Sequence, residues 1–306
     1  MKLYAPKYYK DFKCIADKCD HSCCIGWEID VDDATMKKYR SLENGYGGEI
    51  KKSIDTCDTP HFKLCGGDRC PHLNEKGLCR IILNVGEDYL CDICREHPRF
   101  YNDTSRGREV GIGIACEEAC RIVLTADNYC NMVEISDVGS DDVEKDACDF
   151  DATKEREKVY ALLSDRAIPY GKRLDKISRE YGVSLDILND GGWIELFSLL
   201  EYLDESHKAH FTDFSPFCNV DSKLDVYLER LLAYFVFRHC TEAENIEDFT
   251  LSLGFCLVLE RLIASLALKY EASGVEDLIV PARIVSEELE YSEENTESIK
   301  LEFAFR

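Results

Sequence analysis

Residues 12–27 read FKCIADKCDHSCCIGW and place Cys14, Cys19, Cys23 and Cys24 within eleven positions. Adjacent cysteines such as Cys23 and Cys24 rarely bridge each other, because that disulfide is strained. Their thiolates remain available to a metal or a cluster. Outward from this run come Cys65, Cys70, Cys79, Cys91, Cys94, Cys116 and Cys120, so that thirteen of the seventeen cysteines fall in the first 130 residues. The opening MKLYAPKYYKDF carries charges where a secretory signal would be apolar. The expected compartment is therefore reducing and cytoplasmic, where clustered cysteines read as metal ligands or redox groups rather than staples.

The spacing narrows the chemistry without naming it. C-x4-C-x3-C-C is not a zinc ribbon, which needs two C-x2-C pairs, and it is not the repeated C-x2-C run of bacterial ferredoxins. A true C-x2-C occurs once, at Cys91 and Cys94 in LCDICREHPRFYN, and Cys116 and Cys120 stand one helical turn apart. Together these groups supply more thiolates than one four-coordinate site uses.

Composition sets the frame. With 306 residues and 45% hydrophobic content the chain can bury a proper core. Its net charge of −23 repels phosphate backbones, which argues against nucleic acid and favours basic partners. The most apolar stretch, residues 254–270, is interrupted by Glu260 and Arg261 and reads as too short to span a membrane.

The pattern changes near residue 130. It predicts a Cys-rich metal-binding region over 1–130, an acidic linker over 131–153 and a helical domain over 154–306. The fold class expected is mainly α, with short β elements in the Cys-rich part, packed on an all-α C-terminal region. Helices are predicted over 32–42, 154–166, 173–181, 193–206, 220–240, 246–270 and about 275–291, each from apolar residues three and four apart or from end signals. Residues 78–83 and 110–114 are predicted to form short strands.

One longer comparison is specific. The opening cluster with Gly26-Trp27 is followed by Cys70-Pro71-x-Leu73, Leu78-Cys79, Gly86-Glu87-x-Tyr89-Leu90, Cys94-Arg95-x-x-Pro98-Arg99 and Cys116 entering a helix. This set closely resembles the flagellin lysine N-methylase family, itself related to proteins named for a CxxCxxCC zinc- or iron-chelating motif. The motifs cover about residues 3–125. The resemblance implies methyl transfer from S-adenosylmethionine to lysine ε-amines of flagellin, with an iron–sulfur cluster in the enzyme. It carries the family's cysteine pattern onto Cys14, Cys19, Cys23, Cys24, Cys70, Cys79, Cys94 and Cys116. Eight thiols exceed the four of one [4Fe-4S] cluster, so some are structural or a second metal exists. Cys57, Cys65, Cys91, Cys120, Cys130 and Cys148 are additional to the pattern, and Glu117 replaces the proline that the family often shows after the last cysteine.

Other residues have two readings each. Arg95 and Arg99 could hold the carboxylate of the sulfonium donor's methionine end, or form structural salt bridges. His21 and His97 could ligate metal or simply make hydrogen bonds. Trp27, Tyr89, Phe100 and Tyr101 could wall a cationic group or belong to the core. Asp30, Asp32 and Asp33 could take a lysine proton, although a helix cap is the better reading. No glycine-rich strand-to-helix turn of doubly wound methyltransferases is found, nor the C-x3-C-x2-C triplet of radical S-adenosylmethionine enzymes. The cofactor therefore binds a cluster iron or an unrecognised pocket, or the cluster is structural, and no catalytic base is named. A non-catalytic zinc- or iron-binding or redox-sensing module docking a basic partner is the competing class, and a zinc-stabilised structural protein is a third. Cys218 and Cys256 sit in apolar contexts and are expected to play no part in metal binding.

Overall fold

A computed structural model describes residues 2–43, 45–57, 59–104, 106–137, 150–184, 192–213 and 220–305. Two compact units emerge, one of residues 13–99 and one combining 1–12 with 100–306. The sequence boundary at residue 130 followed cysteine density. The structural boundary instead follows burial, since Val110, Ile112, Ile114, Ala119, Val123 and Leu124 are buried, with the last five in the core cluster of the larger unit. Cys148, Cys218 and most of the proposed linker lie outside the described residues.

The chain begins in the larger unit with strand β1 (Lys2–Pro6). It then enters the smaller unit: α1 (Asp33–Ser41), α2 (Gly45–Ser53), β2 (Ile54–Asp55), β3 (His61–Phe62), α3 (Arg80–Val85) and α4 (Asp92–Glu96). Ile29, Val31, Met36, Tyr39, Ile50, Ile54, Phe62 and Ile81 form its core. The expected strand over 78–83 is instead the start of α3. Asn74 Oδ1 accepts the N–H groups of Lys76 and Leu78 at 2.9 Å each, turning the chain just before it. Gly86, at φ +100°, ends α3 in a conformation that L side chains rarely adopt. A short apolar run such as RIIL does not by itself distinguish helix from strand.

Back in the larger unit, β4 (Arg99–Thr104), β5 (Gly107–Ile112) and, beyond α5 (Glu117–Thr125), β6 (Met132–Asp137) complete a sheet of order β4-β5-β1-β6. β1 runs parallel to β5, with Leu3 opposite Arg108, and antiparallel to β6. The fold is mainly α as expected, yet this sheet belongs with the helices rather than with the cysteines.

The helices follow as α6 (Ala152–Leu163), α7 (Tyr170–Tyr181), α8 (Gly192–Leu199), α9 (Lys208–Thr212), α10 (Asp225–His239), α11 (Ile246–Lys269), α12 (Val275–Val285) and α13 (Glu293–Phe305). α8 stops earlier than its leucine spacing predicts. The Glu288 carboxylate accepts the backbone N–H of Leu203 at 2.7 Å and of Asp204 at 3.2 Å, which holds a bend there. Leu199 and Leu203 consequently face outward. α12 passes into a π turn at Ser286–Glu290. At 24 residues and a mean hydropathy of 1.9, α11 is long and apolar enough to cross a membrane by length and composition, contrary to the sequence expectation. In the structure 83% of that window is buried inside the unit.

Charges are buried here in pairs. Glu109 on β5 and Arg156 on α6 make two bonds of 2.6 and 2.8 Å, and Arg156 also donates to Thr241 Oγ1 at 2.7 Å. Glu229 accepts from Arg166, Arg173 and Tyr129.

Candidate metal centre

The smaller unit gathers thiols. The Cys70 N–H donates to the Cys24 carbonyl at 2.8 Å, which places these two cysteines on adjacent backbone segments. Cys79 caps α3 after a bridge to Leu73, and Cys91 caps α4, with Cys94 one turn on. Cys70 and Cys91 are buried in the core, and Cys24, Cys79 and Cys94 pack against it. The sulfurs of Cys91 and Cys94 are 3.4 Å apart.

Asp32 fixes this arrangement. Its Oδ1 accepts the Thr35 N–H at 2.8 Å and its Oδ2 the Asp92 N–H at 2.9 Å, so one carboxylate caps both α1 and α4. Desolvation opposes its charge, but these bonds outweigh that and hold its pKa below the ordinary value. The cap reading of Asp32 is thus what the structure shows.

The five thiols influence one another. Burial pushes Cys70 up to about 12, and the charges of Cys24, Cys79 and Cys91 add to the effect. Burial also raises Cys79, with Cys24 and Cys91 again contributing. Cys24 is lowered to about 7, chiefly by its bond with Cys23. Cys91 and Cys94 share a proton: the first ionisation is eased by the neighbouring sulfur and the second strongly opposed. Tyr39, whose hydroxyl donates to the Tyr89 carbonyl at 2.8 Å, is also affected by the charges of Cys91, Cys94 and Cys79.

Among the described residues, no three His, Cys, Asp or Glu side chains converge as a chelate for one ion. Thiols are the donor type that iron–sulfur clusters and zinc both take.

The remaining pattern cysteines are less enclosed, although Cys23 bonds the Cys24 thiol. Cys14 and Cys23 are exposed, and the Cys19 thiol donates to the His21 carbonyl at 2.7 Å. Cys116 lies in the larger unit as the N-cap of α5. Glu117 is the first residue of that helix, where proline is also favoured, and its acid suits the positive end. Arg95 forks to Asp92 and Glu96 and donates to the Leu90 carbonyl, while Arg99 donates to the Arg95 carbonyl at 3.2 Å.

Trp27 lies beside His97, ring centroids 6.5 Å apart. Phe100 packs on Phe237 and Tyr234 in the larger unit. Two residues beside these thiols were not among the pattern positions. Cys91 was set aside as additional to the pattern, although its C-x2-C spacing to Cys94 was the available signal. His72, two residues after Cys70, is buried between Tyr46 and Ser53 at 2.7 and 2.8 Å. Desolvation lowers its pKa to about 4 and keeps it neutral.

Two buried and three half-buried thiols in a small unit, beside a mainly α unit with one mixed sheet, describe the class of protein. Comparison with known proteins narrows it. The chain is 27% identical over 127 residues to lysine N-methylases of Salmonella choleraesuis and Salmonella typhimurium, covering 39% of this chain and 31% of each relative. It matches the flagellar biosynthetic protein FliU of Salmonella muenchen at the same identity, covering 75% of that protein. The chain thus matches about a third of the length of the two methylases. No family profile matches it, and neither does any solved structure.

Proposed function

We propose that the protein is an S-adenosylmethionine-dependent lysine N-methyltransferase acting on flagellin, and that a cysteine-bound iron–sulfur cluster belongs to it. The observation that carries this reading is the gathering of thiols at the core of the smaller unit, in a chain similar to lysine N-methylases. Cys24, Cys70, Cys79 and Cys94 are the pattern cysteines that gather and would hold the cluster. When bound, it supplies folding energy to the smaller unit and a redox-active centre.

In the transfer itself, the methyl carbon leaves the sulfonium sulfur and bonds to a neutral lysine nitrogen. The sulfonium becomes a thioether and the amine loses a proton. Positioning and desolvation supply most of the acceleration in such a displacement. Arg95 and Arg99 are proposed for the donor's carboxylate, in exchange for the present partners of Arg95. The net charge of −23 attracts lysine-bearing segments. Incubation with labelled S-adenosylmethionine and flagellin under anaerobic conditions tests the proposal. Label on flagellin lysines is expected, and its absence from iron-loaded protein sinks the enzyme reading.

A further inference from the structure

We infer that Cys91, which stands outside the cysteine pattern shared with the lysine N-methylases, is one of the residues that bind the metal group. This rests on the cysteine-bound metal proposed above and adds a ligand that the resemblance does not supply.

Four observations place it there. The Cys91 side chain is buried, at 1% exposure, and its sulfur lies 3.4 Å from that of Cys94. It belongs to the same buried cluster as Cys70, against which Cys24, Cys79 and Cys94 pack. Asp32 holds the backbone just after it, through the Asp92 N–H. Meanwhile Cys14, which does belong to the pattern, is exposed. The smaller unit therefore gathers Cys91 more closely into the thiol group than it does one of the residues assigned by resemblance.

A merely structural cysteine in the core would be replaced by any apolar side chain of similar size without loss of metal. A ligand would not, because the metal needs the thiolate. Full-length wild-type, Cys91→Ser, Cys91→Val and, as control, Cys256→Ser proteins are purified anaerobically. Iron, zinc and acid-labile sulfide are counted, and the electron paramagnetic resonance of the reduced protein is recorded.

Expected are a twofold or greater loss of iron in Cys91→Val, and either loss or a shifted resonance in Cys91→Ser, with the control unchanged. Full iron and an unshifted resonance in Cys91→Val overturn the inference while leaving the cluster intact. Neither iron nor zinc in the wild type overturns the metal reading itself. If both Cys91 variants fail to fold, nuclear magnetic resonance of the wild type decides. Paramagnetically shifted Cys91 β-methylene protons support ligation, and protons at ordinary positions refute it.

Discussion

Replacing Glu109 with glutamine should destabilise the larger unit severely. Both members of the Glu109–Arg156 pair are nearly inaccessible, with side-chain exposures of 5% and 4%. The pair joins β5 to α6, and Arg156 continues to Thr241 just beyond α10. Glutamine keeps the shape but removes the negative charge, leaving a guanidinium buried without its bidentate partner. Breaking a buried pair from one side costs about 3–5 kcal/mol. For a unit of this size each kcal/mol lowers Tm by roughly 2–4 °C, so a fall of about 6–20 °C follows. Of the two tryptophans, Trp193 is fully buried in the larger unit and Trp27 lies in the smaller. In a Trp27→Phe background, urea titration followed by fluorescence therefore reports on the larger unit. Replacing both partners together, Glu109→Leu with Arg156→Met, should recover most of the loss, because no charge is then stranded. A Glu109→Gln change below about 1 kcal/mol, or a double variant worse than the single, would refute the reasoning.

Three further outcomes are expected. At Gly111 an added Cβ would collide with Phe100 Cζ and lie 2.7 Å from Phe237 Cε1, so Gly111→Ala should cost about 1–3 kcal/mol by overpacking, read in the same titration. The Glu288 carboxylate, 2.6 Å from His207 Nδ1, raises the His207 pKa above its unfolded value. The resulting stabilisation is complete below about pH 6.5 and is lost as pH rises through the higher folded value, a slope that His207→Gln should abolish in stability measured from pH 6 to 9. Cys256→Ala should leave metal content unchanged, since that thiol is fully buried in α11 of the other unit, 3.8 Å from Cys240; any loss of iron would be contrary to this.

Where apolar spacing was long and regular, the sequence was readable. α10 and α11 lie close to the predicted 220–240 and 246–270, because many core positions enforce one period. β1 was missed, since five residues of KLYAP acquire strand character only by pairing with segments a hundred positions away. α13 was missed as well: its buried positions are just Asn295, Thr296 and Ile299, too few to show a stripe. The cysteines announced a thiol-rich region, yet spacing alone could not separate exposed Cys14 from buried Cys70, because bridges such as Ile25–Arg69 and Leu73–Cys79 decide which thiols turn inward. The double cap at Asp32 was likewise half visible. Its Thr35 bond follows from local helix rules, whereas its Asp92 bond spans sixty positions.

The interruption of the larger unit by residues 13–99 has a consequence for synthesis. β1 leaves the ribosome before its partner β5, which begins only at Gly107, after the ten intervening cysteines have emerged. At translation rates of about 5–20 residues per second, that interval lasts roughly 5–20 s. Joining the two strands across a flexible hundred-residue loop would carry an entropic penalty of about 4 kcal/mol. A folded insert turns that loop into a fixed span before the sheet closes, so anything that folds the insert early assists the helical unit. On the function proposed above, that agent is metal captured by the thiols, and iron starvation then leaves the cysteine-poor unit, too, open to proteolysis.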